Sequence, residues 1–483
     1  MIDLRPVVHP IGRIVTVIGA AMLAPMAVDW WHGDAHWAIF LQCAVLTMVS
    51  GVMVATVTAG RYHQLTLQQA FLLTSGLWAV LPVFGALPFV LGQPYASLTD
   101  AYFEAMSGFT TTGTTALPHL DDLPRGIHLW RAILHWSGGL GIVVVAMVFL
   151  PVMKVGGMQF FKSEGFDTLG KILPRAREIA GEMARLYLIL TGACIVTYIV
   201  LGMNGYDAVV QAFGTVSTGG FSNYDASFGT FLGPLEWAGC VFMILASIPF
   251  IRMVQLMRGQ PAPLWRDPQV RAYLRWIGYA CALIISYRIL YLQQQGHVVE
   301  IIRETVFNTI STFSGTGFAS TDMTQWGHLP FAVLIICGLI GGCTGSTGCS
   351  IKVFRFLILF QAVRAQIRRM HSPHRIYPLR YDGRPLQQDV IDSVMAFFTL
   401  FVLTFGLLIV GLAMTGLHPK TALTGAWTAI ANIGPVWGPE VSANGSIAEF
   451  PTPAKWLMIL GMYLGRLELI SVLVLLLPRF WRN

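Results

Sequence analysis

Long apolar segments with almost no charge recur along the whole of this chain. A helix that spans a lipid bilayer needs about 20 mainly apolar residues. Ten segments approach or exceed that length, and they lie at about 11–30, 37–59, 67–91, 128–151, 183–203, 232–257, 273–293, 329–360, 388–416 and 455–478. Only 11% of the 483 residues are charged, whereas a soluble protein carries roughly 25%. The chain is therefore predicted to be an all-α integral membrane protein, and a soluble globular fold is excluded.

Four further segments are too short to span a bilayer, and each leads into a loop that contains glycine. The segments lie at about 99–109, 205–216, 299–313 and 420–431. The loops, numbered 1 to 4 below, are Thr110-Thr111-Thr112-Gly113-Thr114, Ser217-Thr218-Gly219-Gly220-Phe221, Ser314-Gly315-Thr316-Gly317-Phe318 and Ala431-Asn432-Ile433-Gly434-Pro435. They recur at intervals of about 100 residues, which indicates an internal repeat.

Each loop lies between a helix that runs outward and a helix that returns inward, so all four units have the same orientation. We expect four parallel helix–pore-helix–loop–helix repeats around a pseudo-fourfold pore, preceded by an N-terminal pair of transmembrane helices. The expected boundaries are 1–66 for the helix pair and 67–155, 183–260, 270–370 and 386–483 for the four pore repeats.

The composition of the loops favours a path for a cation. Irregular backbone at membrane depth is tolerated only where it is buried in protein or lines a water-filled cavity. Backbone carbonyls from four such loops can replace the hydration shell of a cation, and glycine permits the dihedral angles that this requires. No Lys or Arg falls within the loops. The predicted coordinating residues are Thr111, Thr112, Gly113, Thr218, Gly219, Gly220, Gly315, Thr316, Gly317, Asn432, Ile433 and Gly434.

A single loop of this composition is more often only a tight turn. Four such loops at matched positions argue against that alternative. Loop 4 departs from the pattern because it lacks the Ser/Thr pair and the Phe. We therefore expect loop 4 to coordinate a cation less well than the others.

A second glycine-rich stretch, 341–352, interrupts the apolar segment at 329–360. Each glycine costs a helix about 1 kcal/mol relative to alanine. The stretch is not a phosphate-binding P-loop, because the Gly-Lys-Ser/Thr sequence is absent. A kink packed through small residues is one alternative, and a metal at its two cysteines is a weaker one, because no His or carboxylate is near in sequence. We favour an intramembrane gating loop over 341–350. Its predicted gate residues are Gly341, Gly342, Gly345, Gly348 and Lys352.

Arg466 lies deep in the last apolar segment, where inserting an arginine costs about 2.5–3.5 kcal/mol. Glu468 is only two positions away and points to another face of the helix, so it is a poor partner. A cation about 10 Å from the guanidinium would be repelled by roughly 1.7 kcal/mol at an effective dielectric constant near 20. We expect Arg466 to donate hydrogen bonds to carbonyls of the 341–350 loop and to stabilise a closed state. A purely structural arginine is the alternative.

Positive charge is concentrated in alternate connections between the apolar segments. If both termini are cytoplasmic, 24 of the 31 Lys and Arg residues fall in inner loops or adjoining helix ends, as the positive-inside rule requires. The basic loops at about 154–185, 252–275 and 364–384 also suit anionic membrane lipid. The net charge of +7 is therefore attributed to membrane topology, and no nucleic-acid partner is expected.

The four loops resemble those of the K⁺ transporter superfamily that includes bacterial TrkH, TrkG and KtrB and the fungal and plant Trk/HKT proteins. The segment His135-Trp136-Ser137-Gly138-Gly139-Leu140-Gly141-Ile142 is similar to the start of the second helix of the first repeat in that family, and the resemblance is closest to the TrkH type. It implies a pore-forming K⁺ uptake subunit of the bacterial inner membrane, with the 341–350 loop and Arg466 below the filter.

The same resemblance implies a homodimer with one pore per protomer and a cytosolic nucleotide-binding regulatory subunit of the TrkA type. Because no nucleotide-binding fingerprint occurs in this chain, that control must act in trans, and no organic cofactor is expected. Glycine at the matched position of all four loops implies K⁺ as the transported ion, with Rb⁺ as a surrogate.

Two other classes of function are weighed against a K⁺ channel-like protein. A symporter coupled to H⁺ or Na⁺ usually needs an intramembrane carboxylate that titrates or binds the second ion, and Glu104 and Glu468 are the candidates. A membrane-embedded enzyme is disfavoured, because neither a Ser/His/Asp nor a His-Glu-x-x-His arrangement appears. The chain is predicted not to be an enzyme.

Overall fold

The computed structural model of the chain describes residues 3–60, 65–148, 153, 156–158, 160, 176–292, 298–372 and 378–481. Within these ranges the regular structure is helical apart from one antiparallel pair of two-residue strands, β1 (Arg380–Tyr381) and β2 (Arg384–Pro385). The end of the first predicted repeat at 155 lies outside the described residues. So does most of the predicted basic segment at 154–185.

An N-terminal helix pair comes first, as predicted. Helix α1 (Arg5–Ala21) continues after a break at Met22 as α2 (Leu23–Trp31), and α3 (Trp37–Val57) returns alongside them. Glycine brings the two backbones together, since a Cβ added to Gly51 would lie only 2.5 Å from an atom of α1. Close contact through small residues is how helices associate in lipid, where burial of apolar surface gives no driving force.

Four units follow, and each contains a first helix, a short pore helix and a second helix. The first helices are α4 (Leu67–Gly85), α8 (Ala176–Val200), α13 (Pro268–Ser286) and α17 (Gln388–Met414). The pore helices are α6 (Leu98–Phe109), α9 (Gly205–Val216), α14 (Val298–Ser314) and α18 (Pro419–Ala431). The second helices are α7 (Arg125–Val148), α10 with α11 (Pro234–Ser247, Phe250–Met257), α15 with α16 (His328–Ile340, Val353–His371) and α19 with α20 (Thr452–Arg466, Ile470–Leu473).

Short elements connect these helices. They are α5 (Leu87–Leu91), α12 (Ala262–Arg266), a π-helical turn at Tyr287–Tyr291, and 3₁₀ turns at Leu120–Asp122, Ser227–Thr230, Met323–Trp326, Val474–Leu476 and Pro478–Trp481.

The pore helices are too short to cross a membrane. Helix α6 has 12 residues and is about 18 Å long at 1.5 Å per residue, against a hydrocarbon core of about 30 Å. Side chains cap their N-terminal ends, because Ser97 accepts a hydrogen bond from the backbone of Asp100, and Asn204 accepts one from that of Asp207. Such caps satisfy backbone donors that a helix start leaves free. The C-terminal ends of the pore helices lead directly into the glycine loops.

Fewer helices qualify as complete spans than the ten segments predicted. By length and composition, five described helices could cross a membrane, or seven if two bent pairs each count as one span. The bends are 102° between α10 and α11 and 103° between α19 and α20. The predicted span at 329–360 is not one helix, because α15 ends at Ile340 and α16 begins at Val353. Its glycine-rich stretch breaks the helix, as its composition predicts.

Candidate cation site

The four glycine loops meet in the order in which they follow one another along the chain. A Cβ added to Gly113 would clash with a carbonyl oxygen of loop 2, and one added to Gly220 would clash with a carbonyl oxygen of loop 3. A Cβ on Gly317 would lie 2.6 Å from the backbone nitrogen of Gly434, and one on Gly434 would lie 3.3 Å from the carbonyl carbon of Gly113. The contacts therefore close a ring that leads from loop 1 through loops 2, 3 and 4 back to loop 1.

The backbone of each loop turns in the same way. The residue two positions before the matched glycine has a positive φ, a conformation that is strained for a β-branched residue. These residues and their φ angles are Thr111 (52°), Thr218 (52°), Gly315 (87°) and Asn432 (53°). In loop 4 the matched glycine lacks the positive φ of the other three. The four loops therefore share one backbone turn, which is strained at the β-branched Thr111 and Thr218.

The twelve predicted coordinating residues all lie at this ring. They are buried, except that Gly113, Gly220 and Gly317 are partly exposed. The partly exposed glycines face a cavity of about 660 Å³, which is lined by the matched glycines of all four loops. The ring is thus the floor of this cavity, which is called the outer cavity below because the predicted topology places it on the outer side.

The outer cavity carries acidic side chains. Asp225 and Asp322 are among the residues that line it. Burial raises the pKa of Asp322, but hydrogen bonds from the side chain and backbone of Thr324 more than offset this, so that the net pKa lies below its usual value. The Asp322 carboxylate is consequently charged at neutral pH, which suits a cavity that admits cations.

In three of the units a hydroxyl group of the pore helix binds the backbone of its loop, always from the position six residues before the matched glycine. The hydroxyl of Ser107, six residues before Gly113, donates a 2.6 Å hydrogen bond to the carbonyl of Thr114, one residue after that glycine. The same bond recurs from Ser311 to Phe318 and from Thr428 to Pro435, at 2.7 Å in each case. In the second unit the matching position is Gly214, which has no hydroxyl.

In the first three units a second contact is made by the side chain nine residues before the matched glycine. In the first unit Glu104 accepts hydrogen bonds from the hydroxyl of Thr115 and the backbone of Ala116. The counterparts are Gln211 with Ser222 and Asn223 in the second unit, and Asn308 with Ser320 in the third. The fourth unit has Gly425 there, and the adjacent Thr424 bonds to Trp437 instead. The sequence analysis missed these residues, although their fixed offsets from the glycines could have revealed them.

Loop 4 is tied to loop 1 by side chains. Asn432 donates 3.0 Å hydrogen bonds to the hydroxyl of Thr112 and the carbonyl of Met462. The hydroxyl of Thr114 donates to the carbonyl of Gly434 at 2.9 Å. Ile433 is fully buried in an apolar cluster. One loop 4 carbonyl thus already accepts a hydrogen bond, and the weaker coordination expected of this loop stays a prediction.

The glycine-rich stretch 341–352 lies directly beneath the ring. A Cβ added to Gly315 would lie 3.4 Å from the backbone nitrogen of Cys349, and one added to Gly348 would lie 3.3 Å from the carbonyl of Ser314. The stretch is held from the side by α10, since Cys343 donates a 2.9 Å backbone hydrogen bond to Ser247. The predicted gate residues Gly341, Gly342, Gly345, Gly348 and Lys352 are all buried here.

Arg466 reaches this stretch, but not through the expected carbonyls. Its Nη1 lies 2.6 Å from the sulfur of Cys349, and its Nη2 donates to the carbonyl of Gly138 on α7 at 3.4 Å. The expectation of hydrogen bonds to carbonyls of the 341–350 loop is therefore wrong. The Cys349 sulfur in turn lies 3.6 Å from the hydroxyl of Thr111. A chain of two contacts links the guanidinium to loop 1.

Glu468 does not pair with Arg466, in agreement with their spacing. It contacts the guanidinium of Arg355, and its other oxygen lies 3.4 Å from Nζ of Lys352. Arg355 is fully buried and also donates to the carbonyls of Gly156 and Ile351, at 2.9 Å each. The sequence analysis missed Arg355, because nothing in its local sequence distinguishes it from the basic residues that follow on α16.

The other candidate carboxylate, Glu104, is also paired. It is fully buried, and Nε of Arg131 on α7 lies 2.7 Å from its oxygen. Both candidate coupling residues are thus already balanced by arginine. Among the described residues, no group of three or more His, Cys, Asp or Glu side chains could hold a metal ion.

These features define a class of protein before any comparison is made: a multi-pass, all-α membrane protein whose four parallel pore-loop units close a ring beneath an outer cavity. A family model described as "TrkH: Cation transport protein" matches residues 35–482. The chain belongs to this TrkH family, which is a transporter family and not a family of enzymes.

Individual relatives match nearly the whole chain. The Trk system potassium uptake protein TrkI of Halomonas elongata is 40% identical and covers 99% of this chain and 97% of its own length. The Trk system potassium uptake protein TrkH of Escherichia coli strain K12 is 32% identical, with 99% of both covered. The crystal structure of the potassium transporter TrkH from Vibrio parahaemolyticus matches with a TM-score of 0.92 at 31% identity over 100% of both chains.

Proposed function

We propose that this chain is a potassium uptake protein, the pore-forming membrane subunit of a Trk-type system. The observation that carries this proposal is the closed ring of four glycine loops beneath an outer cavity. The names of the relatives support K⁺ as the transported ion, because those proteins are described as potassium uptake proteins.

The ring acts as the selectivity filter. Its twelve predicted residues present backbone carbonyls and threonine hydroxyls in place of the water around the ion. The pore helices end at the ring, and the partial negative charge of a helix C-terminus favours a cation there. Loops 1 to 3 supply most of the coordination, since loop 4 is engaged with loop 1.

The 341–350 loop and Arg466 form the gate on the inner side. The loop contacts the underside of the ring, so that an ion leaving the filter meets it at once. The guanidinium of Arg466 adds electrostatic repulsion at the same level. Lys352 contributes by fixing the end of the loop to Glu468.

A K⁺ symporter coupled to H⁺ or Na⁺ is the alternative. Its candidate carboxylates, Glu104 and Glu468, are both buried against arginine, and a paired carboxylate is poorly suited to bind and release a second ion. Conduction of K⁺ down its electrochemical gradient is therefore favoured.

The assembly and placement of the protein are part of the proposal. The chain forms a homodimer in the bacterial inner membrane, with both termini in the cytoplasm and lipid against its basic inner loops. A cytosolic nucleotide-binding subunit of the TrkA type regulates it. Its working units are the N-terminal pair 1–66 and the pore repeats 67–155, 183–260, 270–370 and 386–483.

Reversal potentials of the purified chain in planar bilayers test this function. Under a K⁺ gradient, a current that reverses at the K⁺ Nernst potential at every pH is expected. A reversal potential that moves with pH or with Na⁺ would support the symporter. A current that does not distinguish K⁺ from Na⁺ would refute the proposed selectivity.

A further inference from the structure

The second unit departs from the pattern that holds the other loops. In units 1, 3 and 4 a hydroxyl of the pore helix binds the carbonyl that follows the matched glycine. In unit 2 this position is Gly214, and a Cβ there would lie 3.0 Å from the ring of Phe318 and 3.0 Å from the carbonyl of Phe221. Glycine leaves room for the aromatic ring of loop 3, and loop 2 consequently lacks this hydrogen bond from its own pore helix.

Helix α7 of the first unit contacts loop 2 at this place. The ring of His135 stacks on the ring of Phe221, with centroids 3.9 Å apart and planes inclined by 9°. Its Nδ1 accepts a 3.3 Å hydrogen bond from the backbone of Phe221. A Cβ added to Gly219 would clash with the imidazole ring of His135. The histidine therefore packs against two consecutive parts of loop 2, its backbone and its aromatic side chain.

Arg131 lies one helical turn before His135 and contacts the same loop. Its Nη1 donates a 2.7 Å hydrogen bond to the carbonyl of Ser222, and its guanidinium lies 4.1 Å from the centroid of the Phe221 ring. Its Nε binds Glu104, which in turn holds the residues after loop 1. One arginine thus links the outer ends of loops 1 and 2.

The side chains of His135 and Arg131 are both buried where they contact loop 2. The exposed fraction is 0% for His135 and 1% for Arg131. Because Nδ1 of His135 accepts a hydrogen bond from the backbone of Phe221, its proton lies on Nε2.

We propose that His135, together with Arg131, is a positioning residue that holds loop 2 in its ion-selective conformation in place of the hydroxyl that this unit lacks. This inference rests on the proposed function of the ring as a K⁺ filter. It assigns the second helix of one unit a role in the filter loop of the next.

The test compares variants of the full-length chain in proteoliposomes. His135→Ala removes both the stacking and the acceptor, and His135→Phe keeps the stacking alone. We expect His135→Ala to lower the K⁺/Na⁺ permeability ratio by about fivefold or more, because a net hydrogen bond is worth about that factor. His135→Phe should lower it less. Arg131→Lys should also lower it, since one ammonium cannot reproduce the planar fork that serves Glu104 and Ser222 together.

Arg303→Gln is the matched control. Arg303 forms a 2.6 Å ion pair with the buried Glu236 at the outer end of α14, away from the ring, so its loss also leaves a buried carboxylate unpaired. It should leave the permeability ratio unchanged. If K⁺ and Na⁺ fluxes fall in the same proportion in the His135 variants, the residue is merely structural and the inference is wrong.

Hydrogen exchange separates this inference from the proposed function. In His135→Ala the backbone of 217–223 should exchange faster than in the original chain, while that of 314–320 should not. If the original chain fails to distinguish K⁺ from Na⁺, the filter function is refuted, and the exchange data alone decide whether His135 positions loop 2. Equal protection of loop 2 in both proteins would overturn the inference.

Discussion

Replacing Arg466 by alanine should increase ion flux. The guanidinium lies 2.6 Å from the Cys349 sulfur, which lies 3.6 Å from the Thr111 hydroxyl. An ion just above Thr111 is thus about 8 Å from the positive charge, and at an effective dielectric constant near 20 it is repelled by about 2 kcal/mol. That energy corresponds to a factor of about 30 in occupancy. We expect Rb⁺ uptake to rise by about 10- to 30-fold.

The assay is ⁸⁶Rb⁺ uptake into proteoliposomes at matched protein content, with thermal unfolding as a check on the fold. Arg466→Lys serves as the control, because it keeps the charge but cannot bridge Cys349 and Gly138 as the guanidinium does. If repulsion is the main effect, its flux stays near that of the original chain. If the flux of Arg466→Lys rises as far as that of Arg466→Ala, the contact of the guanidinium with the 341–350 loop is what restrains flux.

An unchanged or lower Rb⁺ flux in Arg466→Ala would refute this reasoning, provided that the variant unfolds at the original temperature. Arg466 would then be a structural residue that ties α19 to α7. The gating role proposed for the 341–350 loop would then need another source of control.

Three further predictions concern the ring and its supports. Gly220→Ala should abolish selective K⁺ uptake, because its Cβ would strike a carbonyl of loop 3 and its φ is 78°; K⁺ and Na⁺ uptake by the same preparation measures this, and retained selectivity would contradict it. Glu468→Gln should lower the free energy of unfolding by about 3–5 kcal/mol, because it leaves buried cations without their carboxylate. Unfolding of this variant is measured beside that of the control Glu304→Gln. The control should lose less stability, because the carboxylate of Glu304 is partly exposed. Ser311→Ala should weaken Rb⁺ binding about fivefold, because it removes the 2.7 Å hydrogen bond to the carbonyl of Phe318. Competition of Rb⁺ against K⁺ uptake measures the affinity. An affinity equal to that of the unsubstituted protein would contradict a role for this contact.

The positions of the pore helices could be predicted closely from the sequence. The segments expected at 205–216 and 420–431 are observed at Gly205–Val216 and Pro419–Ala431. Each is a short apolar run between a capping residue and a glycine loop, and both ends are therefore marked by local chemistry. The closure of the loops into a ring followed from their parallel orientation.

The partners of buried charges could not be predicted in the same way. Arg355 and Glu468 are 113 residues apart, and their pairing depends on how α16 packs against the end of α19. The break after Arg466 is also without a clear signal, since it depends on Glu468 and Leu469 adopting positive φ angles of 59° and 44°. The bend after α10 did have a signal, because Pro249 follows Ile248 at that point, and proline ends a helix.

The order of the loops around the ring has a consequence for biosynthesis. Three of the four junctions join loops that are neighbours in the chain, but the last joins loop 4 to loop 1 across 320 residues, through Asn432 with Thr112 and Thr114 with Gly434. As the chain emerges from its N-terminus, the first three loops enter the membrane with one side of the assembly open. The ring closes only when the final repeat has been translated and inserted. A chain that stops before the fourth repeat therefore lacks the contacts that complete the ring.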